Sequence, residues 1–248
     1  VHTTNRPRVA CEHCPLRKLP VFRPFTAEEL AYVSRFKRGE LLVKTGDLIL
    51  TEGQHSEQLY TLLSGWAFRY KALEDGRRQI VNYLLPGDLI GLQASTIGEM
   101  QHSVEALSSA VLCVFRREQV PELFRSHPEL GFDVTWLASR EERMLDENLL
   151  SVGRRSAFER AAYLLAVLHR RASALGMMKG ARPTIPITQQ HLADTLGLSL
   201  VHTNKTLKRL AAANLIRWHD HACEVLDPAG LTEAAGWSGS RETIRPLI

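Results

Sequence analysis

The chain has 248 residues, 44% of them hydrophobic and 23% charged, enough to bury a core and better suited to two modest domains than to one, so disorder is not the default. The segment VHTTNRPRVACEHC lacks an apolar core of signal-peptide length, and no later stretch reaches the run of about eighteen apolar residues that a membrane span needs. The expectation is a soluble cytoplasmic protein with no membrane partner. Net charge is only +4, but residues 154–248 carry 13 Lys/Arg against 7 Asp/Glu while residues 1–153 carry 18 against 20. A basic C-terminal part beside a mildly acidic one points to a polyanion as partner of the former.

The N-terminal CEHC holds two of the four cysteines, too few for a disulfide framework in a chain this long. In a reducing cytosol they are thiols, metal ligands or redox sensors. From about Lys37 to Phe115 the sequence reads as short strands, ELLVK, LILTE, QLYTLLS, AFRYKAL, RQIVNYLL and AVLCVF, rich in β-branched and aromatic residues. Gly39, Gly46, Gly53, Gly65, Gly76 and Gly87 punctuate them at intervals of 7 to 12 residues, as expected of an antiparallel barrel or jelly roll. Asp75-Gly76 reads as a hairpin turn.

After Pro128 the period becomes helical. Leu130, Val134, Leu137, Met144 and Leu145 form one stripe, interrupted by Glu141 and Asn148, with SREERMLDEN supplying charge elsewhere. Such a helix packs on the barrel, on a second copy of itself, or on both. Gly153 reads as a hinge, RRSAFERAAYLLAVLHRRASALG as a second amphipathic helix ending at Gly176, and GARPTIP as a loop. A weakly structured tail is expected after Gly236.

The most specific segment is ITQQHLADTLGLSLVHTNKTLKRLAAANLIRW, residues 187–218. It parses as helix, turn, helix, strand. Thr188 can cap a helix Gln189–Leu196 whose Leu192, Ala193 and Leu196 share a face, Gly197 supplies the turn, and Ser199 can cap the second helix. There Thr203, Leu207, Leu210 and Ala211 fall inward, leaving Val201, His202, Asn204, Lys205 and Lys208 outward or on the flanks. That set suits the DNA major groove: Asn pairs bidentately with adenine, Lys donates to guanine or phosphate, and Val meets a thymine methyl. The helix starts at Thr188, Gln189 and Ser199 can offer N–H groups to phosphate. Downstream, His219, Asp220, His221 and Cys223 in WHDHAC have a metal-ligand-like composition but read best as a solvated loop. No catalytic arrangement, P-loop or dinucleotide fingerprint sits in a supporting context, so the chain is not read as an enzyme.

The stretches LYTLLSGWAFRY, LPGDLIGL, VLCVF, LADTLGLS and AANLIRW together resemble the Crp/Fnr superfamily of bacterial regulators over nearly the whole chain. The resemblance implies an α+β architecture: an N-terminal segment with the CxxC (residues 1–24), a cyclic-nucleotide-binding-type β-roll (25–127), a long dimerisation helix (128–153), a winged helix-turn-helix (154–236) and a tail (237–248). It also implies a homodimer that reads a pseudo-palindromic operator in double-stranded DNA and meets RNA polymerase. Val201 stands where the best-known members have a base-reading glutamate and Lys205 where they have arginine, so a different half-site is expected.

For the sensor, the resemblance places Leu92 and His102 where cAMP-responsive members hold the nucleotide with glutamate and arginine. Leucine accepts no ribose hydroxyl, and neutral His is a poor substitute for a bidentate Arg, which argues against cAMP. The oxygen-sensing Fnr branch holds an iron–sulfur cluster on four cysteines. Cys11, Cys14 and Cys113 match three of them, whereas the fourth falls at Pro20, leaving Glu12, His13 or His102 as substitute ligands, or an open iron site. Thiol redox chemistry and simple packing of the cysteines stay open beside the cluster. The expected function is a sequence-specific DNA-binding transcription regulator sensing redox or another non-cAMP signal. The alternatives are a cyclic-nucleotide-binding regulatory module and an iron–sulfur redox protein without DNA binding.

Overall fold

The computed structural model describes residues 9–180, 183–219, 221–239 and 244–248. These divide into two compact units: the described residues of 1–69, 84–142 and 243–248 form the first, and those of 70–83 and 143–242 the second.

Two 3-10 turns, Cys11–His13 and Pro15–Lys18, lead to helix α1, Ala27–Phe36. The start of α1 is fixed by a capping box in which Thr26 accepts from the Glu29 amide and the Glu29 carboxylate accepts from the Thr26 amide. The roll follows: β1 Lys37–Val43, β2 Leu48–Leu50, β3 Gln58–Ser64, β4 Ala67–Ala72, β5 Arg78–Leu84, β6 Leu89–Ile90, helix α2 Leu92–Ile97, β7 Ser103–Ala106 and β8 Ala110–Arg116. One sheet has the order β1-β8-β3-β6 and the other β2-β7-β4-β5. Leu41, Leu62 and Leu112 from the first sheet meet Ile49, Ala67, Leu84 and Val104 from the second in one core. The turn at Gly76 has the positive φ, 84°, that the Asp-Gly pair anticipates. Strands β6 and β7 and helices α1 and α2 were not anticipated from the sequence.

Helix α3, Val120–Ser126, precedes α4, Pro128–Arg154. The helix runs through Gly153, so the expected hinge there is corrected: the break falls at Arg155–Ser156, where Ser156 and Glu159 form the capping box of α5, Ala157–Ala174. The apolar stripe of α4 also splits. Leu130, Val134 and Leu137 are buried within the first unit, Met144 is half-buried, and Leu145 is exposed. The interrupting polar residues have partners, Glu141 with Arg69 at 2.7 Å and Asn148 donating to the Val81 carbonyl at 2.8 Å.

In the second unit come β9 Thr184–Ile185, α6 Gln189–Leu196, α7 Leu200–Ala212, β10 Ile216–His219, β11 Ala222–Val225 and α8 Pro228–Ala234. The strands form a small sheet, β10-β11-β9. β9 thus lies inside the stretch read as a GARPTIP loop.

The tail also departs from expectation. Trp237 meets the Tyr163 ring edge-on. Residues 244–248 pack in the first unit: Arg245 donates to Asp88 at 2.7 Å and to the Pro86 carbonyl at 2.7 Å, and stacks over the Phe22 ring. Gly87 belongs to this packing, because a Cβ there would strike the Phe22 ring. Asp88 also accepts from Arg140 at 3.1 Å, so a buried carboxylate is matched by two guanidiniums.

Candidate functional site

Helices α6 and α7 are positioned by the groups their sequence offered. The Thr188 hydroxyl accepts from the His191 amide at 3.1 Å and the His191 ring meets the Thr188 amide at 3.3 Å, a reciprocal cap using His in the usual Glu position. Gly197 closes α6 in the left-handed region at φ 64°, and the Ser199 hydroxyl accepts from the His202 amide at 3.3 Å. A hairpin arm of the same unit braces α6. Arg78 pairs with Asp194 at 2.6 Å, Gln79 donates to the Thr195 carbonyl at 2.8 Å, and the buried Tyr83 hydroxyl lies 2.8 Å from the Thr195 hydroxyl. Nothing in the sequence pattern identified this brace.

Thr203, Leu207 and Leu210 are buried on the inner side of α7, as expected, and Thr206 joins them, its hydroxyl donating to the His202 carbonyl at 3.0 Å. Ala211, expected inward, is exposed. The outward set is Val201 (66% exposed), His202, Lys205 and Lys208, with Ser199 exposed at the helix start. Thr188 and Gln189 are half-buried at the start of α6. Asn204 sits at the edge of this face, half-buried, its Oδ1 buried with no hydrogen-bond partner among the described residues. The Arg209 guanidinium lies over the Phe158 ring, 4.9 Å from its centroid, and so serves packing onto α5.

β10 and β11 form a two-stranded wing. The solvated-loop reading of WHDHAC is corrected for Cys223, which is fully buried opposite Trp218 and Ile185, its thiol pushed up to about 12 by burial. Glu224 accounts for His219 (3.2 Å) and Arg217 (3.1 Å), which hold its carboxyl below the usual range, the His219 hydrogen bond leading. His221 is exposed, and Asp220 lies outside the described residues.

In the first unit Cys11, Cys14 and Cys113 line one cavity of about 20 Å³, together with Arg17, Lys37, Thr61, Phe115 and Ile248. Cys11 and Cys113 are buried and Cys14 is half-buried. Burial pushes the Cys113 thiol up to about 12, against the pull of Lys37, and raises Cys11 for the same reason. Lys37 is engaged by Glu40 at 2.6 Å and the Val9 carbonyl at 2.7 Å. Arg17 lies face-on to the Phe25 ring at 3.9 Å, while its buried Nε and Nη1 have no hydrogen-bond partner among the described residues.

A third exposed feature is a row on α4. Ala138, Leu145 and Val152 recur every seven residues and Leu149 falls four after Leu145. All four are exposed, Leu149 by 74%. Of the stripe Leu130, Val134, Leu137, Met144 and Leu145 expected to pack on the barrel, on a second copy or on both, only Leu145 lies in this row.

A winged helix-turn-helix following a β-roll and a long helix defines a DNA-binding transcription regulator. Comparison with known proteins agrees: residues 40–127 match the cyclic nucleotide-binding domain family and residues 159–234 the Crp-like helix-turn-helix domain family. The chain is 31% identical over 221 residues to the nitrogen fixation regulation protein FixK of Bradyrhizobium diazoefficiens, covering 88% of this chain and 91% of that one. It is 29% identical over 230 residues to the transcriptional activator protein FnrL of Cereibacter sphaeroides, covering 91% and 92%. Among solved structures, FixK2 from Bradyrhizobium japonicum shares the fold with a TM-score of 0.70 at 23% identity, over 81% of this chain and 98% of that one. The chain belongs to the Crp/Fnr family, among its Fnr-like members, and its relatives are transcription regulators rather than enzymes. No helix among the described residues is long and apolar enough to cross a membrane.

The residues present complete neither the nucleotide-holding pair of cAMP-responsive members nor a four-cysteine cluster set. Leu92, half-buried at the start of α2, has no group to accept a ribose hydroxyl, and His102 is a buried imidazole where a guanidinium would be needed for a cyclic phosphate. The cysteine cavity brings together three thiols, one fewer than the four cysteine ligands of such a cluster. Pro20 offers no ligand, Glu12 is taken by the Ser34 hydroxyl at 2.8 Å, and neither His13 nor His102 lines the cavity. Among the described residues no group of three or more His, Cys, Asp or Glu has metal-binding geometry.

Proposed function

We propose that this protein is a cytoplasmic homodimeric regulator that reads a pseudo-palindromic operator with α7. The observation that carries the reading is the division of α7, with Thr203, Thr206, Leu207 and Leu210 buried on one side and Val201, His202, Lys205 and Lys208 free on the other. In the major groove Lys205 and Asn204 address base edges, Val201 meets a thymine methyl, and His202 and Lys208 flank them. Thr188, Gln189 and Ser199 hold phosphates at the two helix starts.

Dimerisation uses the row Ala138, Leu145, Leu149 and Val152, whose seven-residue recurrence is that of a two-helix seam. Two copies then present α7 about one DNA turn apart, and RNA polymerase is the further partner of such a regulator. The signal is not a cyclic nucleotide. Redox state at the N-terminal thiols is the input that the cysteine cavity supports.

Selection of bound duplexes from random DNA, in air and under anaerobic conditions, tests this reading. Enrichment of a two-fold-related sequence, with affinity falling steeply as salt rises, is expected. Enrichment of no common sequence under either condition overturns it.

A further inference from the structure

A cavity of about 270 Å³ lies within the second unit, among the later turns of α4, β5, α5 and α6. Ile80, Val81, Leu145, Leu149, Leu164 and Leu196 make its walls largely apolar, and Leu145, Leu149 and Val152 form its exposed edge. Since an apolar cavity of about 150 Å³ is enough to stay dry and take up benzene, this one has room for a molecule of roughly a dozen heavy atoms. Apolar walls carrying a few placed polar groups are the ordinary makeup of a small-molecule site.

The polar groups of the lining are of two kinds. Gln79 is spent on the Thr195 carbonyl at 2.8 Å and Asn148 on the Val81 carbonyl at 2.8 Å. Arg160 donates to the Leu196 carbonyl at 3.0 Å and the Arg155 carbonyl at 2.8 Å, and the Thr195 hydroxyl to the His191 carbonyl at 2.6 Å. Tyr163 and Ser151 are different. Each is only 5% exposed, each lines the cavity, and neither hydroxyl has a hydrogen-bond partner among the described residues. The Tyr163 ring is held in place, edge-on to Trp237 with centroids 5.6 Å apart and with the Arg155 guanidinium 4.3 Å from its centroid. Burial pushes the Tyr163 phenol up to about 12, so it keeps its proton at neutral pH. Two buried donors without acceptors carry a desolvation cost that an acceptor placed in the cavity removes.

We propose that this cavity binds a small, uncharged, largely apolar ring compound with one carbonyl group, whose oxygen accepts from the hydroxyls of Tyr163 and Ser151. The site is built from one copy of the chain and goes beyond the preceding reading, although Leu145, Leu149 and Val152 also belong to the row assigned to the dimer seam. Thr195 and Leu196 bring α6 into the wall. An occupant therefore packs against the first helix of the helix-turn-helix and is an input separate from the thiols.

The test uses the full chain with leucine methyl groups labelled for NMR, titrated with 2-acetylnaphthalene. Saturable shifts of the Leu164 and Leu196 methyls are expected, with a Kd below about 100 µM. The double variant Tyr163→Phe, Ser151→Ala should bind this probe about fivefold more weakly. Naphthalene, which has no acceptor, should move the same methyls equally in the variant and the unaltered protein. Ala138→Glu charges the seam at a residue that does not line the cavity, and should bind the probe as the unaltered protein does. Shifts confined to roll leucines such as Leu62 and Leu112, or an affinity indifferent to the loss of both hydroxyls, would overturn the proposal. Binding by Ala138→Glu alone would also overturn it, because a second copy then fills the cavity. Operator affinity with and without the probe is measured separately and bears on regulation alone.

Discussion

Helices α4 and α7 are both amphipathic and both leave one side uncovered, but what they leave uncovered differs in kind. α7 exposes Val201, His202, Lys205 and Lys208 over a core of Leu207 and Leu210. α4 exposes Ala138, Leu145, Leu149 and Val152, and buries Leu130, Val134 and Leu137 on another side. The chemistry of an uncovered face names its partner: donors and cations face a polyanion, whereas an apolar row in water faces protein. A single apolar stripe read from sequence merges the two apolar sides of α4, one filled by its own roll and one left exposed.

The sharpest break of this comparison is Leu149→Glu against Leu137→Ala. Two symmetry-related glutamates in an apolar seam remove about 3–6 kcal/mol, so light scattering should show the dimer dissociation constant raised at least ~100-fold with the thermal midpoint of the subunit preserved. Leu137, 7% exposed, should behave in the opposite way. Leu137→Ala is expected to lose about 2–5 kcal/mol in denaturant unfolding with its dimeric mass unchanged. A monomeric Leu137→Ala that folds normally would place the interface on the buried side instead.

On α7, Lys205→Ala should weaken operator binding by about 1–3 kcal/mol and relax preference at one base pair. Equal loss on all sequences with a shallower salt dependence would reassign Lys205 to a phosphate. The smallest expected effect is Thr188→Ala, which removes a cap worth about 1 kcal/mol in unfolding of the second unit. Its operator affinity should fall only by the contribution of one phosphate contact.

The helix-turn-helix was legible because its signals are local. A hydroxyl before each helix, Gly197 between them and a 3.6-residue period all lie within one short segment. The same kind of signal lay unread at Thr26 and Glu29 and at Ser156 and Glu159, two capping boxes that fix α1 and α5 and would have moved the helix break from Gly153 to Ser156. Strands β6 and β7 span only two and four residues, too few for alternation to register. The brace of Arg78, Gln79 and Tyr83 on α6, and the Arg17 surroundings of the cysteines, join residues far apart in the chain, where no periodicity operates. Asn204 shows the limit at single-residue scale: the helical period places it outward, but packing turns its carbonyl oxygen in.

The contacts of Arg245, Leu247 and Ile248 have a topological consequence. The segment carrying the helix-turn-helix is an insertion in the first unit rather than an appendage to it, since the chain leaves that unit within α4 and re-enters it beside Phe22 and Asp88. A segment 143–242 excised from the chain leaves behind the arm 70–83, and with it the Arg78, Gln79 and Tyr83 contacts that brace α6. A roll cut off after α4 loses Arg245 from the buried Asp88, and its Thr61 hydroxyl loses the Ile248 carbonyl it donates to at 2.6 Å. The chain therefore passes between the two units four times, and no single cut in a linear map releases either of them whole.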